Sequence, residues 1–469
     1  VALLVALGSV LGAAAPAHAS GFDTALFGND DGHPALGNPY AAYFNPAAMV
    51  DARGTQMTGA ASVAVHLETY DRPASALSPS DPNNPVLTGN AQYVQSNTGK
   101  ASLFNVLAAP FLGMVTDFGG SPWRLGLASY APFGGSVQWD KNQASNGPSA
   151  APGGYDGPQR WFSISTVTTT LAQTLAVAYR IESLRLGIGV GFSVMETSIQ
   201  DTLARNADGS DDVVYPVSGG LKEGRAYIKV HGVQTGVNAG LWWEPTAGLR
   251  LGASYVSQPG FGTMRLKGIF QEQLGGEIGL SPQQPADLLQ AYPDIVRLGA
   301  AYRVSPRLDV RVDGTMDLWS RFKNQCVVQS GAPCSVNSTG QDLTTGGPIL
   351  ANIPRNGQDS YKLRVGAAYE ASPQTQVHGS AAVESSSLPS GYEDPLLFDS
   401  TRIFGTVGIN QRVTGGLSFG LAYTFVFYLP ITVTDSQLPT YIAPSKAPSA
   451  DGQYSASVHV FDVAVSYRF

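Results

Sequence analysis

Apolar and polar side chains alternate with a period of two along most of this sequence, the repeat of a strand whose two faces meet different surroundings. Leu184, Leu186, Ile188, Val190, Phe192 and Val194 alternate with Arg185, Gly187, Gly189, Gly191 and Ser193. Leu308, Val310 and Val312 alternate with Asp309, Arg311 and Asp313, and Tyr361, Leu363 and Val365 with Lys362 and Arg364. The final stretch sets Phe461, Val463, Val465 and Tyr467 against Asp462, Ala464, Ser466 and Arg468. One face is apolar throughout, and the other is small, polar or charged. In a membrane barrel these faces are lipid and lumen, and an Arg or Lys turned to lipid near the midplane would cost roughly 2–4 kcal/mol, which fixes the parity.

Such stretches fall near residues 55–69, 102–118, 122–131, 160–180, 184–199, 224–243, 249–264, 293–304, 307–322, 358–370, 374–387, 400–412, 417–431 and 455–469. The connections between them alternate in length. Long ones at 70–101, 132–159, 200–223, 265–292, 323–357, 388–399 and 432–454 interleave with turns such as Ser305-Pro306 and Ala371-Ser372-Pro373. Long outer loops, short periplasmic turns and an even strand number define an all-β chain folded as a 14-stranded antiparallel transmembrane β-barrel in the bacterial outer membrane. The edge strands of a soluble sandwich have no reason to sort their loops in this way.

Composition agrees. Charged residues make up 13% of the 469 positions, about half the share usual in globular domains, while Gly 54, Tyr 20 and Phe 19 suit half-apolar strands. No segment after residue 15 is long and apolar enough for a spanning helix. A net charge of -7 offers no basic footprint for nucleic acid. Residues 1–19 are expected to be a signal peptide: an apolar run, Pro16, then the small-x-small site Ala17-His18-Ala19, which starts the mature chain at Ser20. The chain begins with Val1 and lacks a positively charged start, so a few residues of that leader are expected to be missing. In an oxidising compartment the two cysteines, Cys326 and Cys334, are expected to form a disulfide; with no histidine nearby they make a poor metal site.

Catalysis finds little support. A G-x-S-x-G match at Gly416–Gly420 lies in a strand pattern with no strand-turn-helix context, and Gly187-Ile188-Gly189-Val190-Gly191 has the period of a strand rather than of a dinucleotide loop. The five histidines left after cleavage, His33, His66, His231, His378 and His459, form no recognisable triad. No catalytic residue, metal or cofactor is expected, although a barrel enzyme of lipase type, or an adhesin or structural barrel, stays open as an alternative.

Ser20-Gly21-Phe22 and the segment Ala41-Ala42-Tyr43-Phe44-Asn45-Pro46-Ala47-Ala48-Met49, with Leu125-Gly126-Leu127-Ala128-Ser129-Tyr130-Ala131-Pro132-Phe133-Gly134, carry a resemblance. Leu298-Gly299-Ala300-Ala301-Tyr302-Arg303 and Trp319-Ser320-Arg321-Phe322 extend it. Together they resemble the FadL family of outer-membrane transporters for long-chain fatty acids and other hydrophobic compounds, over nearly the whole mature chain. The resemblance implies an amino-terminal hatch at residues 20–53, plugging a barrel of residues 54–469. It places Phe22, Asn45, Pro46 and Ala47 in that hatch, and passive uptake of an apolar ligand with lateral release into the membrane. A monomer is expected.

Pro132, which lacks a backbone donor, either ends the third strand at the rim or, with Phe133 and Gly134, breaks its pairing and opens the wall; the resemblance favours the opening. Loops 200–223 and 265–292 are the candidates for an outer apolar groove, with Leu274, Ile278, Leu280, Leu288 and Leu289 as lining and a short helix at Pro285–Ala291. Those leucines would otherwise pack the loop on itself. Arg311, Lys362 and Arg364 face inward, where they either attract a ligand carboxylate or join a lumen charge network with Asp309, Asp313 and Glu370. Phe469, with Tyr467 two residues earlier, resembles the signal read by the barrel-assembly machinery. The partners expected are therefore that machinery, outer-membrane lipid and a hydrophobic small molecule.

Overall fold

The computed structural model describes residues 27–84, 89–145, 151–215, 217–273, 282–413 and 415–469. The expected signal peptide and Phe22 lie outside them. Staves one and two are β1 (Thr55–Arg72) and β2 (Gly99–Thr116), and stave three is divided into β3 (Trp123–Tyr130) and β4 (Gly134–Gln138). β5 (Ser165–Ile181), β6 (Leu186–Arg205) and β7 (Gly224–Thr246) follow as long staves. Staves seven to ten are each split: β8 (Leu249–Val256) with β9 (Met264–Gln273), and β10 (Gln284–Gln290) with β11 (Ile295–Ser305). The next two are β12 (Leu308–Asp317) with β13 (Asn324–Gln329), and β14 (Ile349–Pro354) with β15 (Ser360–Glu370). β16 (Thr375–Glu384), β17 (Arg402–Arg412), β18 (Leu417–Tyr428) with the short β19 (Ile431–Val433), and β20 (Gly452–Arg468) complete the set.

Every neighbouring pair is antiparallel, and β20 returns to β1 from Gln56↔Arg468 to Asp71↔Gln453, so the sheet closes into a fourteen-stave barrel. The parity read from sequence is the observed one. On β6, Ile188, Val190, Phe192 and Val194 are exposed on the outer wall, while Gly187, Gly189, Gly191 and Ser193 are buried inside. Arg311 and Asp313 likewise face inward on β12 between exposed Val310 and Val312. Leu184 and Arg185 belong instead to the periplasmic turn before β6, where Arg185 takes a left-handed conformation (φ 49).

Two expectations are corrected. Pro285–Ala291 is no helix: Gln284–Gln290 is β10, laddered to β9 on one side and β13 on the other. Seven residues do not separate the two periods, and two waiting strand edges decide the outcome. Residues 265–292 and 323–357 are likewise more than loops. β9, β10, β13 and β14 prolong staves seven to ten beyond a level at which all four backbones lapse from regular pairing, as the register Val256↔Ile295, Ile295↔Asp317 and Asp317↔Ser360 shows. Asp294 ties the lapse together by accepting from the Tyr255 hydroxyl (2.7 Å) and the Gln258 amide (2.9 Å) and by pairing with Arg321 (2.7 Å). Above it the inner faces carry Ile199, Ile228, Leu266, Phe270, Leu288 and Val327 as one apolar cluster. Cys326 and Cys334 are joined there, with Cα atoms 6.3 Å apart.

Candidate functional site

Residues 27–53 lie inside the periplasmic half of the barrel. A single helical turn, Ala41–Phe44, leads to Asn45, whose extended backbone (φ -165) ends it and whose side chain caps the next turn, Pro46–Asp51, by accepting from the Ala47 amide (3.0 Å). Proline stands at the first position of that turn, where no backbone donor is needed. The Asn45 amide group also donates to the Pro34 carbonyl (2.7 Å) and to the Leu241 carbonyl of β7 (2.9 Å), so one fully buried side chain fixes both the segment's shape and its place on the wall.

The wall makes room by omitting side chains. Gly189 and its ladder partner Gly240 lie against Ala47 and Asn45, and Gly252 and its partner Gly299 lie against Pro34; a Cβ at Gly299 would come within 2.5 Å of the Pro34 ring. Polar groups on the same staves then reach the segment's backbone. Asn238 donates to the Ala42 carbonyl (2.8 Å), Ser254 to the Phe44 carbonyl (2.6 Å) and Trp242 to the Ala35 carbonyl (3.1 Å). Arg297 donates to the Tyr43 hydroxyl (2.9 Å), with its guanidinium 4.5 Å from the Tyr43 ring and 5.1 Å from that of Phe44. Asn238, Trp242 and Arg297 belong to no motif; their inward parity on β7 and β11 is the signal that finds them.

Of the inward cations, Arg311 donates to the Asp30 carbonyl (2.8 Å), and Arg364 donates to the carbonyls of Asn29 (2.8 Å) and Gly32 (2.7 Å). Arg364 also pairs with Asp313 (2.7 Å), and Arg311 lies 3.7 Å from Asp309. Lys362 stands apart from the segment, 3.5 Å from Glu384 and 4.2 Å from the Phe404 ring. Glu370 joins none of these, pairing with Arg412 instead (3.2 Å).

Stave three breaks at the predicted proline. β2 ladders with β3 only from Thr116↔Leu125 to Phe111↔Tyr130, while β4 ladders with β5 alone. Between Tyr130 and an isolated bridge at Leu103↔Trp139, β2 and β4 share no ladder, and Asn105 reaches across to the Ser136 carbonyl at 3.4 Å. Phe133 turns inward and stacks on Tyr292 (4.5 Å between centroids, 25° between planes). The lower edge of this gap touches residues 27–53: the Phe27 ring lies 5.2 Å from Phe111, and the Tyr43 ring 4.7 Å from Tyr130.

Above lies a cavity of about 1240 Å³, counting the space at its open mouth. Its wall is largely apolar, with Trp161, Phe162, Ile199, Leu288, Val327 and Leu396 among its lining, and it abuts the gap through Gly135 and Val137 of β4. Leu288 therefore lines it, Leu289 packs beside the Cys326–Cys334 loop, and Leu274, Ile278 and Leu280 lie outside the described residues. The turn Pro158–Trp161 that delivers Trp161 is pinned by Arg160, buried and bidentate to Glu223 (2.9 Å to each oxygen). Burial pushes the Glu223 carboxyl up, but Arg160 and Arg225 outweigh it and hold it below its ordinary range. Its stabilising contribution is thus complete above that range and is lost only as the pH falls through the depressed value. Glu223→Gln is expected to loosen segments 151–164 and 206–223 at neutral pH by about 3–5 kcal/mol, read as faster amide exchange there with the barrel ladders unchanged.

Ser418, in the G-x-S-x-G match, is the second residue of β18, on a turn that leads into a strand and not into a helix, and no grouping of three or more metal-binding side chains occurs among the described residues. A closed barrel with an apolar outer wall, an occupied lumen and an apolar cavity beside a break in the wall is the architecture of an outer-membrane protein that transports hydrophobic compounds. The chain belongs to the outer membrane protein transport protein family (OMPP1/FadL/TodX), whose model matches residues 13–469. In fold it is similar to a Pseudomonas aeruginosa FadL homologue, with 20% identity, coverage of 97% of this chain and 100% of that one, and a TM-score of 0.71. It is also similar to the Ralstonia pickettii toluene transporter TbuX (17% identity, 93% and 98% covered, TM-score 0.58). The Pseudomonas putida toluene transporter TodX is a third (17%, 97% and 96%, 0.60). No curated protein matches the chain.

Proposed function

We propose that this barrel takes up long-chain fatty acids or comparable apolar molecules by collecting them in the outer cavity and releasing them sideways into the bilayer through the gap between β2 and β4. The observation that carries this reading is the continuity of three features: cavity, gap and the aromatic residues of segment 27–53 at the gap's lower edge. The largely apolar wall of the cavity, with Trp161, Phe162, Ile199, Leu288 and Val327, suits an apolar ligand. Residues 20–53 act as the hatch. Asn45, Pro46 and Ala47 seat it on the glycine wall, and Arg311 and Arg364 hold its backbone rather than a ligand carboxylate, with Lys362 left to the lumen network.

Passage needs no energy source when each site holds the ligand better than the last and hatch displacement opens the lower edge of the gap. Pro132 and Gly134 keep the wall open, and Phe133 guards its inner side through Tyr292. A barrel that closes its own edges acts as a monomer. Phe469, exposed at the periplasmic end beside Tyr467, serves as the handle for the assembly machinery.

The test is uptake of a labelled long-chain fatty acid by cells expressing the protein or a Pro132→Ala, Gly134→Ala, Gly135→Ala variant inserted to the same level. Wild-type uptake with near-complete loss in the variant is expected. Undiminished uptake by the variant would remove the lateral route while leaving a transporter, and no uptake by either would remove the fatty-acid assignment.

A further inference from the structure

We infer that the outer wall carries a docking surface for the phosphate groups of the outer-leaflet glycolipid, built on Lys229 of β7 and Lys267 of β9. The height of the wall supplies the first argument. Along β7 the exposed outward residues run Trp243, Leu241, Val237 and Val233. At the rise of a strand and the tilt of a barrel, the ten steps from Trp243 to Val233 span about 25 Å, the full apolar band of an outer-membrane barrel. The next outward positions are His231 and Lys229, both exposed. Lys267 is exposed too and sits opposite His231 across the ladder, which places it diagonal to Lys229. The lysines therefore stand just beyond the hydrocarbon, where the phosphates of the outer leaflet lie.

Charge supplies the second argument. Asp287 stands opposite Lys267 on β10, but its carboxylate is taken by Arg265 (2.6 Å), the Ser330 hydroxyl (3.2 Å) and the Gly331 amide (2.8 Å), and neither lysine forms an ion pair among the described residues. Glu196, the nearby acid on β6, is opposite Val233 and so lies lower, against the lipid band. Like charges on neighbouring strands repel unless an anion is shared between them. Exposed Lys323, at the lapse in stave nine, adds a further cation to the wall of a chain whose net charge is -7. A phosphate held between two lysine ammonium groups removes the repulsion, with the acyl chains lying along Val233 and Val237. This assignment rests on the barrel's seat in the membrane and not on what passes through it.

The full chain, purified from outer membranes in mild detergent, is titrated with bis-phosphorylated lipid A and with the same lipid stripped of both phosphates, read by native mass spectrometry and by the shift in melting temperature. The phosphorylated lipid is expected to bind, with weakening by added salt. Lys229→Gln and Lys267→Gln are each expected to weaken it roughly fivefold, while the Lys229→Arg, Lys267→Arg double variant and a distant Lys100→Gln control behave as wild type. Equal binding of the stripped lipid, undiminished binding by the double glutamine variant, or an equal loss in the Lys100→Gln control would each overturn the assignment. So would phosphatidylglycerol binding as tightly, which would reduce the patch to a general attraction for anionic lipid.

Discussion

A barrel from which residues 27–53 have been deleted is expected to conduct ions steadily in a planar bilayer, at least an order of magnitude above the intact chain, and to admit small hydrophilic solutes. The closing ladders run from stave to stave and from β20 to β1 without passing through the segment, so the deleted form should still insert and resist heat-induced unfolding in detergent. Arg297, Arg311 and Arg364 would lose their partners on the segment, but into water rather than into a dry interior, and Arg364 keeps Asp313, which limits the cost. Unchanged conductance in a correctly inserted deletion variant would show that the segment is not what closes the lumen.

Asn45→Ala should have the next largest effect. The truncation leaves the Pro34 and Leu241 carbonyls and the Ala47 amide without their buried partner. At about 1–3 kcal/mol for each buried group left unsatisfied, and with some rescue by entering water, roughly 3–5 kcal/mol of the segment's attachment should go. Amide exchange across Ala41–Ala52 should accelerate by two orders of magnitude or more, while exchange in β6 and β7 stays slow. Asn45→Asp separates the two roles of the side chain. An aspartate still accepts from Ala47 but has no donor for the two carbonyls, so a variant as loose as Asn45→Ala assigns the effect to the wall contact rather than to the cap. Protected amides in both variants would mean that the glycine wall alone seats the segment.

Much of the fold was written in the period of two, because lipid on one side and lumen on the other impose opposite demands on successive residues. That is why the inward charges at Arg311, Lys362 and Arg364 and the lipid-facing valines between them could be assigned from sequence. The pattern fails where the two environments cease to differ. Above the membrane band, β9, β10, β13 and β14 have packed side chains or solvent on both faces, so Gln271, Gln273 and Gln284 read as loop, and the run beginning at Pro285 read as helix. The segment inside the barrel was half legible. Asn45-Pro46 announces a capped turn, but its contact with Leu241 lies 196 residues away in sequence, and no local rule joins the two. The break after Tyr130 was visible as a proline; its alignment with Phe27 and Tyr43 required the folded chain.

The glycine-faced wall also constrains the order in which the molecule comes together. Gly189, Gly240, Gly252 and Gly299 leave a berth only one backbone deep, shaped around Pro34 and Asn45–Ala47 and pinned from the far side through Asp30 by Ser380 and Arg311. A chain could not be threaded into so close a berth through a finished cylinder. The segment must be laid against β6 to β11 while the seam between β1 and β20 is still unzipped, and the seam then seals around it. Residues 27–53, early in the chain, would thus be among the last to find their place, waiting for strands some 200 positions later, with closure of the ring as the step that keeps them in the lumen.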